Sequence, residues 1–130
     1  MTLDLPWPPS VNHYWRRGPR GWYVSAEGQK FRRDVAEIVL VNGKRPALTE
    51  RLSVTVALYP PDRRRSDIDN RCKGLLDALQ AAGVYEDDCQ IDRLVMERFE
   101  RREGGRCVVC ITPIAGTLTY GRSAGLDIAS

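Results

Sequence analysis

Arg51-Leu52-Ser53-Val54-Thr55-Val56-Ala57-Leu58 alternates polar or small with large apolar side chains without a break. Such a run reads as a strand with one strongly apolar face, because successive side chains leave a pleated backbone on opposite sides. Tyr59-Pro60-Pro61-Asp62 ends it, since proline has no N–H to give a ladder. Upstream, Ser25 suits an N-cap, and Phe31, Val35, Ile38 and Val39 recur at helical spacing. They predict a helix over about 26–41, closed by Asn42-Gly43. Downstream, Cys72, Leu75, Leu76 and Leu79 mark the buried stripe of a second helix, from Asn70 to Ala82, ending at Gly83. Residues 2–5 form an edge strand stopped by Pro6-Trp7-Pro8-Pro9. Ile91 to Glu100 and Arg106 to Thr112 read as two strands of one hairpin around Glu103-Gly104-Gly105. Asn12 to Tyr23 is a loop by composition. The expected fold is α/β, a single domain with a mixed sheet of about four strands and two main helices, in the order β-α-β-α-β-β.

A chain of 130 residues can bury a core without staples. No apolar run approaches the roughly 20 residues that cross a bilayer, and Met1-Thr2-Leu3-Asp4-Leu5-Pro6 does not open a signal peptide. A cytoplasmic protein without membrane contact is expected. Residues 116–130, rich in Gly, Ser and Thr, read as a flexible or lightly packed tail. Cys72, Cys89, Cys107 and Cys110 read as buried thiols. A zinc knuckle at Cys107-x-x-Cys110 is disfavoured because residues three apart on a strand face opposite ways.

The net charge of +3 is modest, but the basic residues are clustered arginines. Arg16, Arg17 and Arg20 lie among His13, Tyr14, Trp15, Trp22 and Tyr23; Arg32 and Arg33 lie on the exposed flank of the first helix; Arg63, Arg64 and Arg65 follow the central strand; Arg101, Arg102 and Arg106 sit near the chain's last turn. Any one cluster alone reads as a solvated face. Together they suit a phosphate backbone, which guanidinium forks bind well, with aromatics available to stack on bases. His13, the only histidine, reads as structural.

The arginine run continues into Ser66-Asp67-Ile68-Asp69-Asn70-Arg71-Cys72-Lys73. In extended backbone Asp67 and Asp69 project to one side, and hard carboxylate oxygens are what Mg²⁺ prefers. A helix cap would explain one aspartate and not two. Lys73, in a first helical turn where a cation is disfavoured, has Asp69, Asp77 or a bound phosphate as candidate partners. A calcium loop fails on spacing, since Cys72 stands where glycine is needed and Ala78 where glutamate is. There is no P-loop and no dinucleotide fingerprint, so no small-molecule cofactor is expected. Nothing around His13 suggests a nucleophilic triad. What survives is metal-assisted chemistry on a phosphodiester, with an acidic loop at Glu86-Asp87-Asp88.

Leu5-Pro6-Trp7-Pro8-Pro9-Ser10-x-Asn12, Val24-Ser25-Ala26-Glu27-Gly28-Gln29, Pro61-Asp62-Arg63-Arg64-Arg65-x-Asp67-x-Asp69-Asn70, Lys73, Asp77-Ala78-Leu79 and Asp87-Asp88-x-Gln90 resemble, in order, the RusA Holliday-junction resolvases of bacteria and phages. The resemblance runs from about residue 3 to about residue 114 and marks 1–115 as one endonuclease domain. It implies a homodimeric, Mg²⁺-dependent endonuclease, with Mn²⁺ able to substitute, that recognises four-way DNA junctions by shape and cuts two opposed strands. It maps the essential carboxylates onto Asp67, Asp69 and Asp88, with Asp87 as a helper at the metal, and the essential lysine onto Lys73. Arg16, Arg17, Arg20, Arg63, Arg64, Arg65 and Lys73 are the expected DNA contacts. A helix from Asn70 to Ala82 is about 20 Å long, and the return to Asp88 spans roughly 20 Å at most. Either that loop doubles straight back, or Asp88 meets the Asp67–Asp69 pair of a second subunit. Two competing readings are a non-catalytic junction-binding protein and a nuclease for flaps or nicks.

Overall fold

The computed structural model describes residues 1–43, 45–65 and 67–114; the expected tail at 116–130 lies outside them. In chain order the elements are β1 (Thr2–Leu5), α1 (Val11–Tyr14), β2 (Trp15–Gly18), β3 (Gly21–Val24), α2 (Ala26–Val41), β4 (Leu52–Tyr59), α3 (Cys72–Ala81), β5 (Ile91–Arg98) and β6 (Arg106–Pro113). Short 3₁₀ turns precede α3 at Asp69–Arg71 and β5 at Asp88–Gln90. The main elements follow the order read from the sequence.

β4 is an inner strand that buries a full apolar face and has partners on both edges. Leu52, Val54, Val56 and Leu58 are buried. β6 pairs antiparallel on one side and β5 parallel on the other, giving the sheet order β1-β6-β4-β5. β5 and β6 therefore form no hairpin, contrary to the pattern around Gly104-Gly105. The reason is burial. β6 turns Cys107, Val109 and Ile111 into the core and so needs an inner position, whereas β5 carries Asp92, Arg93, Glu97 and Arg98 and suits an edge. The connection crosses the end of β4, where the Phe99 N–H donates to Leu58 O and the Arg102 N–H to Pro60 O, both at 2.8 Å. The Phe99 ring stacks on Tyr59, and Arg102 lies 3.9 Å from the Tyr59 ring centre.

The sheet's buried face packs on Phe31 and Val35 of α2 and on Leu75, Ala78 and Leu79 of α3 in one core. α2 begins where Ser25 accepts the Gly28 N–H at 3.0 Å and ends at Asn42, with Gly43 at φ 101°. Cys107 faces the core and Cys110 the opposite side, as alternation requires. Cys89 is exposed, so not every thiol is buried.

Residues 15–24 are a second, two-stranded sheet rather than a loop. β2 and β3 pair as Trp15↔Val24, Arg16↔Tyr23, Arg17↔Trp22 and Gly18↔Gly21, and Gly21 at φ 105° makes the turn. The hairpin is anchored where the Ser25 N–H donates to Tyr14 O at 2.8 Å and the Ser25 hydroxyl donates to His13 O.

α1 crosses α2 closely enough to need glycine. A Cβ on Gly28 would lie 2.7 Å from Tyr14 O and 2.8 Å from a Val24 methyl. Gly28→Ala is expected to destabilise the fold by about 1–3 kcal/mol through overpacking, despite the roughly 1 kcal/mol that alanine gains in helix propensity. Urea unfolding measures it, and a more stable variant would contradict this packing.

Candidate active site

The position of α3 is set by Tyr14. Its ring is fully buried and lies against Gly74, where a Cβ would stand 2.8 Å from Tyr14 Cδ2. Its hydroxyl donates to Asp77. The Arg32 guanidinium reaches the same carboxylate through Nη2 at 2.6 Å and Nε at 3.0 Å. Burial, then the bond to Asp77, push the Tyr14 pKa well above the ordinary tyrosine value, so the phenol stays a donor. Two expectations change here: Arg32 is not on a free flank, and Asp77 is committed to Tyr14 and Arg32 rather than to Lys73.

Asp67 and Asp69 stand at the entry to α3. Ile68 between them is helical, φ −60° and ψ −44°, so the extended geometry that would place both carboxylates on one side does not hold. Neither carboxylate caps a helix: Asp69 opens the 3₁₀ turn, whose N-cap is Ile68, while α3 follows Arg71 with no side-chain cap. Both are exposed, as is Lys73 in the first turn of α3. Among the described residues Lys73 has no ion-pair partner.

The third acid arrives on a loop that doubles back along α3. The buried Tyr85 donates to Leu76 O at 2.6 Å, and the Asp88 N–H donates to Gln80 Oε1 at 3.0 Å. The organiser is Gln90, which is buried. Its Oε1 accepts the Glu86 and Asp87 N–H groups at 3.0 and 2.9 Å, and its amide donates to Leu48 O at 3.0 Å and Glu50 O at 2.8 Å. Asp87 caps the 3₁₀ turn through the Cys89 N–H at 2.9 Å, a bond that holds its pKa below the ordinary carboxylate value. Asp88 is exposed. Burial raises the Cys72 thiol, and the charges of Asp69 and then Asp88 raise it further, against Lys73.

The donors fit a hard divalent cation in kind, being exposed carboxylate oxygens. In number they do not yet suffice: among the described residues of one chain, no three His, Cys, Asp or Glu side chains gather closely enough to hold a metal. Asp67, Asp69 and Asp88 also form no ion pair among the described residues, whereas Asp4, Asp34, Asp62, Asp77, Asp92 and Glu100 all do.

Beside them runs the basic surface. Arg63 and Arg65 are exposed, and Arg64 pairs with Asp62 at 2.9 Å. Arg63, Arg64 and Arg65, with Arg98 and Arg101, line an open cavity of about 520 Å³. Arg16, Arg17 and Arg20 lie on the β2–β3 hairpin, where Arg17 sits 5.8 Å from the centre of Trp22 and Trp22 and Tyr23 are 67% and 53% exposed. Gln90 and Tyr14 are the organisers that sequence spacing left without a role. Glutamine in an acidic loop and tyrosine in an aromatic run gave no local signal of their distant partners.

Exposed carboxylates that form no ion pair among the described residues, with an arginine run just before two of them, have the chemistry that work on a phosphodiester backbone requires. The profile of the family described as endodeoxyribonuclease RusA matches residues 6–112. The chain is 44% identical over 110 residues to the crossover junction endodeoxyribonuclease rusA of Enterobacteria phage HK97, covering 85% of this chain and 92% of the relative. With the same coverages, it is 38% identical to RusA of Escherichia coli strain K12 and 37% to rusA of Enterobacteria phage 82. The chain belongs to the RusA family.

Gln90→Ala would leave two part-buried carbonyls and two N–H groups without their partner. An unfolding loss of about 2 kcal/mol or more is expected, with displacement of the Asp88 segment seen as faster amide exchange at 86–89. Unchanged exchange there would show that Gln90 does not hold the loop.

Proposed function

We infer that this chain is a Mg²⁺-dependent, structure-specific endodeoxyribonuclease that resolves four-way (Holliday) DNA junctions by paired nicks in opposed strands. It acts as a homodimer, in the cytoplasm of a bacterial or phage-infected cell. The observation that carries this reading is the set Asp67, Asp69 and Asp88: exposed, unpaired among the described residues, next to an arginine run, and inside the region shared with the RusA endonucleases.

Asp67, Asp69 and Asp88 would hold the ion, with Asp87 keeping the Asp88 turn in shape. When bound, the ion supplies water activation and charge neutralisation at the phosphate. Lys73 adds a positive charge at the start of α3 and stabilises the negative charge that builds on the phosphoryl oxygens. Arg63 and Arg65 bind neighbouring phosphates and fix the register of the strand. The hairpin arginines and exposed aromatics meet a second stretch of backbone, with Trp22 and Tyr23 placed to stack on bases opened at the branch point. Since the described residues of one chain do not gather three donors, Asp88 of one copy is proposed to complete the Asp67–Asp69 pair of another. A two-fold dimer built this way also matches the symmetry of an open junction.

Asp69→Asn is expected to reduce nicking of a synthetic four-way junction to background while junction binding stays intact. Nicking near the wild-type rate would remove Asp69 from the chemistry. Mixing Asp69→Asn with Asp88→Asn subunits should restore nicking in heterodimers if sites are shared between copies, and restore none if each site is built within one chain.

A further inference from the structure

Arg71 is half-buried just behind Asp69, and its guanidinium is incompletely satisfied. Nη1 donates to Pro8 O at 2.9 Å, and the group lies 5.1 Å from the centre of the Trp7 ring. Nε is buried with no hydrogen-bond partner. Among the described residues no carboxylate bonds to Arg71. Of the two acids whose charge reaches it, Glu27 and Asp62, Asp62 is occupied by Arg64, through its backbone N–H at 3.0 Å and its guanidinium at 2.9 and 3.1 Å. A half-buried cation that no carboxylate bonds is costly unless a ligand supplies an anion.

The ligand has a place to sit. Trp7, His13, Asp62, Arg64, Arg65 and Arg71 line a cavity of about 350 Å³. Three guanidiniums face one already paired carboxylate, so the site favours an anion. A water's share of liquid volume is about 30 Å³, which leaves room for a phosphate group with bridging waters. The larger basic cavity shares Asp62, Arg64 and Arg65 with this one. Two anion sites that share the same arginines suit successive phosphates of one strand better than an isolated small anion.

We propose that the Trp7–Arg71 cavity binds a DNA backbone phosphate adjacent to the one that is cut, with Arg71 as its principal contact and Arg64 and Arg65 bridging to the next phosphate. The proposal rests on the endonuclease reading above and adds a contact that none of the expected DNA-binding residues supplies. Arg71 is a strand-positioning residue: it grips the backbone beside the carboxylates and acts on the reacting phosphate only by holding the strand in register.

The test compares wild type with Arg71→Leu and Arg71→Lys. Arg71→Leu should melt no lower than wild type, since it removes an unsatisfied charge. It should bind a four-way junction about tenfold more weakly, with the slope of log affinity against log salt smaller by about one. Arg71→Lys should keep the slope and lose only part of the affinity. If Arg71→Leu matches wild type in both affinity and slope while the wild type nicks junctions, the phosphate site is overturned and the endonuclease reading stands. If the wild type nicks no junction with any divalent ion, the endonuclease reading falls. The cavity is then judged by inorganic tripolyphosphate: a rise in melting temperature for wild type but not for Arg71→Leu supports an anion site, and no rise for wild type overturns it.

Discussion

The Tyr14 hydroxyl, the Asp77 carboxylate and the Arg32 guanidinium meet where α1, α2 and α3 come together, and the orientation of α3 follows from that contact. The glycines at 28 and 74 let the Tyr14 region approach both longer helices. The bonds inside the cluster are charge-assisted and partly shielded from water, each worth about 1.5–3 kcal/mol. A helix held this firmly near its middle presents its first turn as a fixed platform. Lys73 lies on that platform, with Asp69 and Arg71 in the 3₁₀ turn that leads into it, and the return loop through Tyr85 brings Asp88 back along the same helix. Tyr14 and Arg32, far from the carboxylates in sequence, therefore help decide where they stand.

The electrostatic pattern complements this scaffold. Away from the α3 entry, several carboxylates are matched with arginines or lysine: Asp4 with Arg106, Asp34 with Lys30, Asp92 with Arg51. At the α3 entry the same residue types stand near one another in sequence and, among the described residues, Asp67, Asp69 and Asp88 do not pair with them. Unpaired charges of both signs cost little in water but gain much when a divalent ion and a phosphate arrive together, each satisfying one sign. Among the described residues no helix is long and apolar enough to cross a membrane.

What could be read from the sequence was what local rules govern. The bounds of α2 were legible because Ser25, the Phe31–Val35 spacing and Asn42-Gly43 are all local signals, and β4 announced itself by strict alternation. The β2–β3 hairpin was not legible: each strand has four residues and neither turns a periodic apolar face to the core, so composition spoke for a loop. β5 and β6 looked like a hairpin because they are consecutive and joined through Gly-Gly. Only the competition for places beside β4, decided by how much each strand must bury, separates them. The site followed the same division. Its carboxylates and lysine stood out by type and spacing, whereas Gln90 and Arg71 have partners 40 or more residues away, which no local pattern encodes.

The most direct test is a nicking assay on a synthetic four-way junction and a linear duplex of the same sequence, each with Mg²⁺ or with EDTA. Paired cuts in opposed strands of the junction, absent from the duplex and lost with EDTA, are the predicted result. Tight junction binding with no cleavage under any divalent ion would contradict it and leave a protein that holds junctions without resolving them.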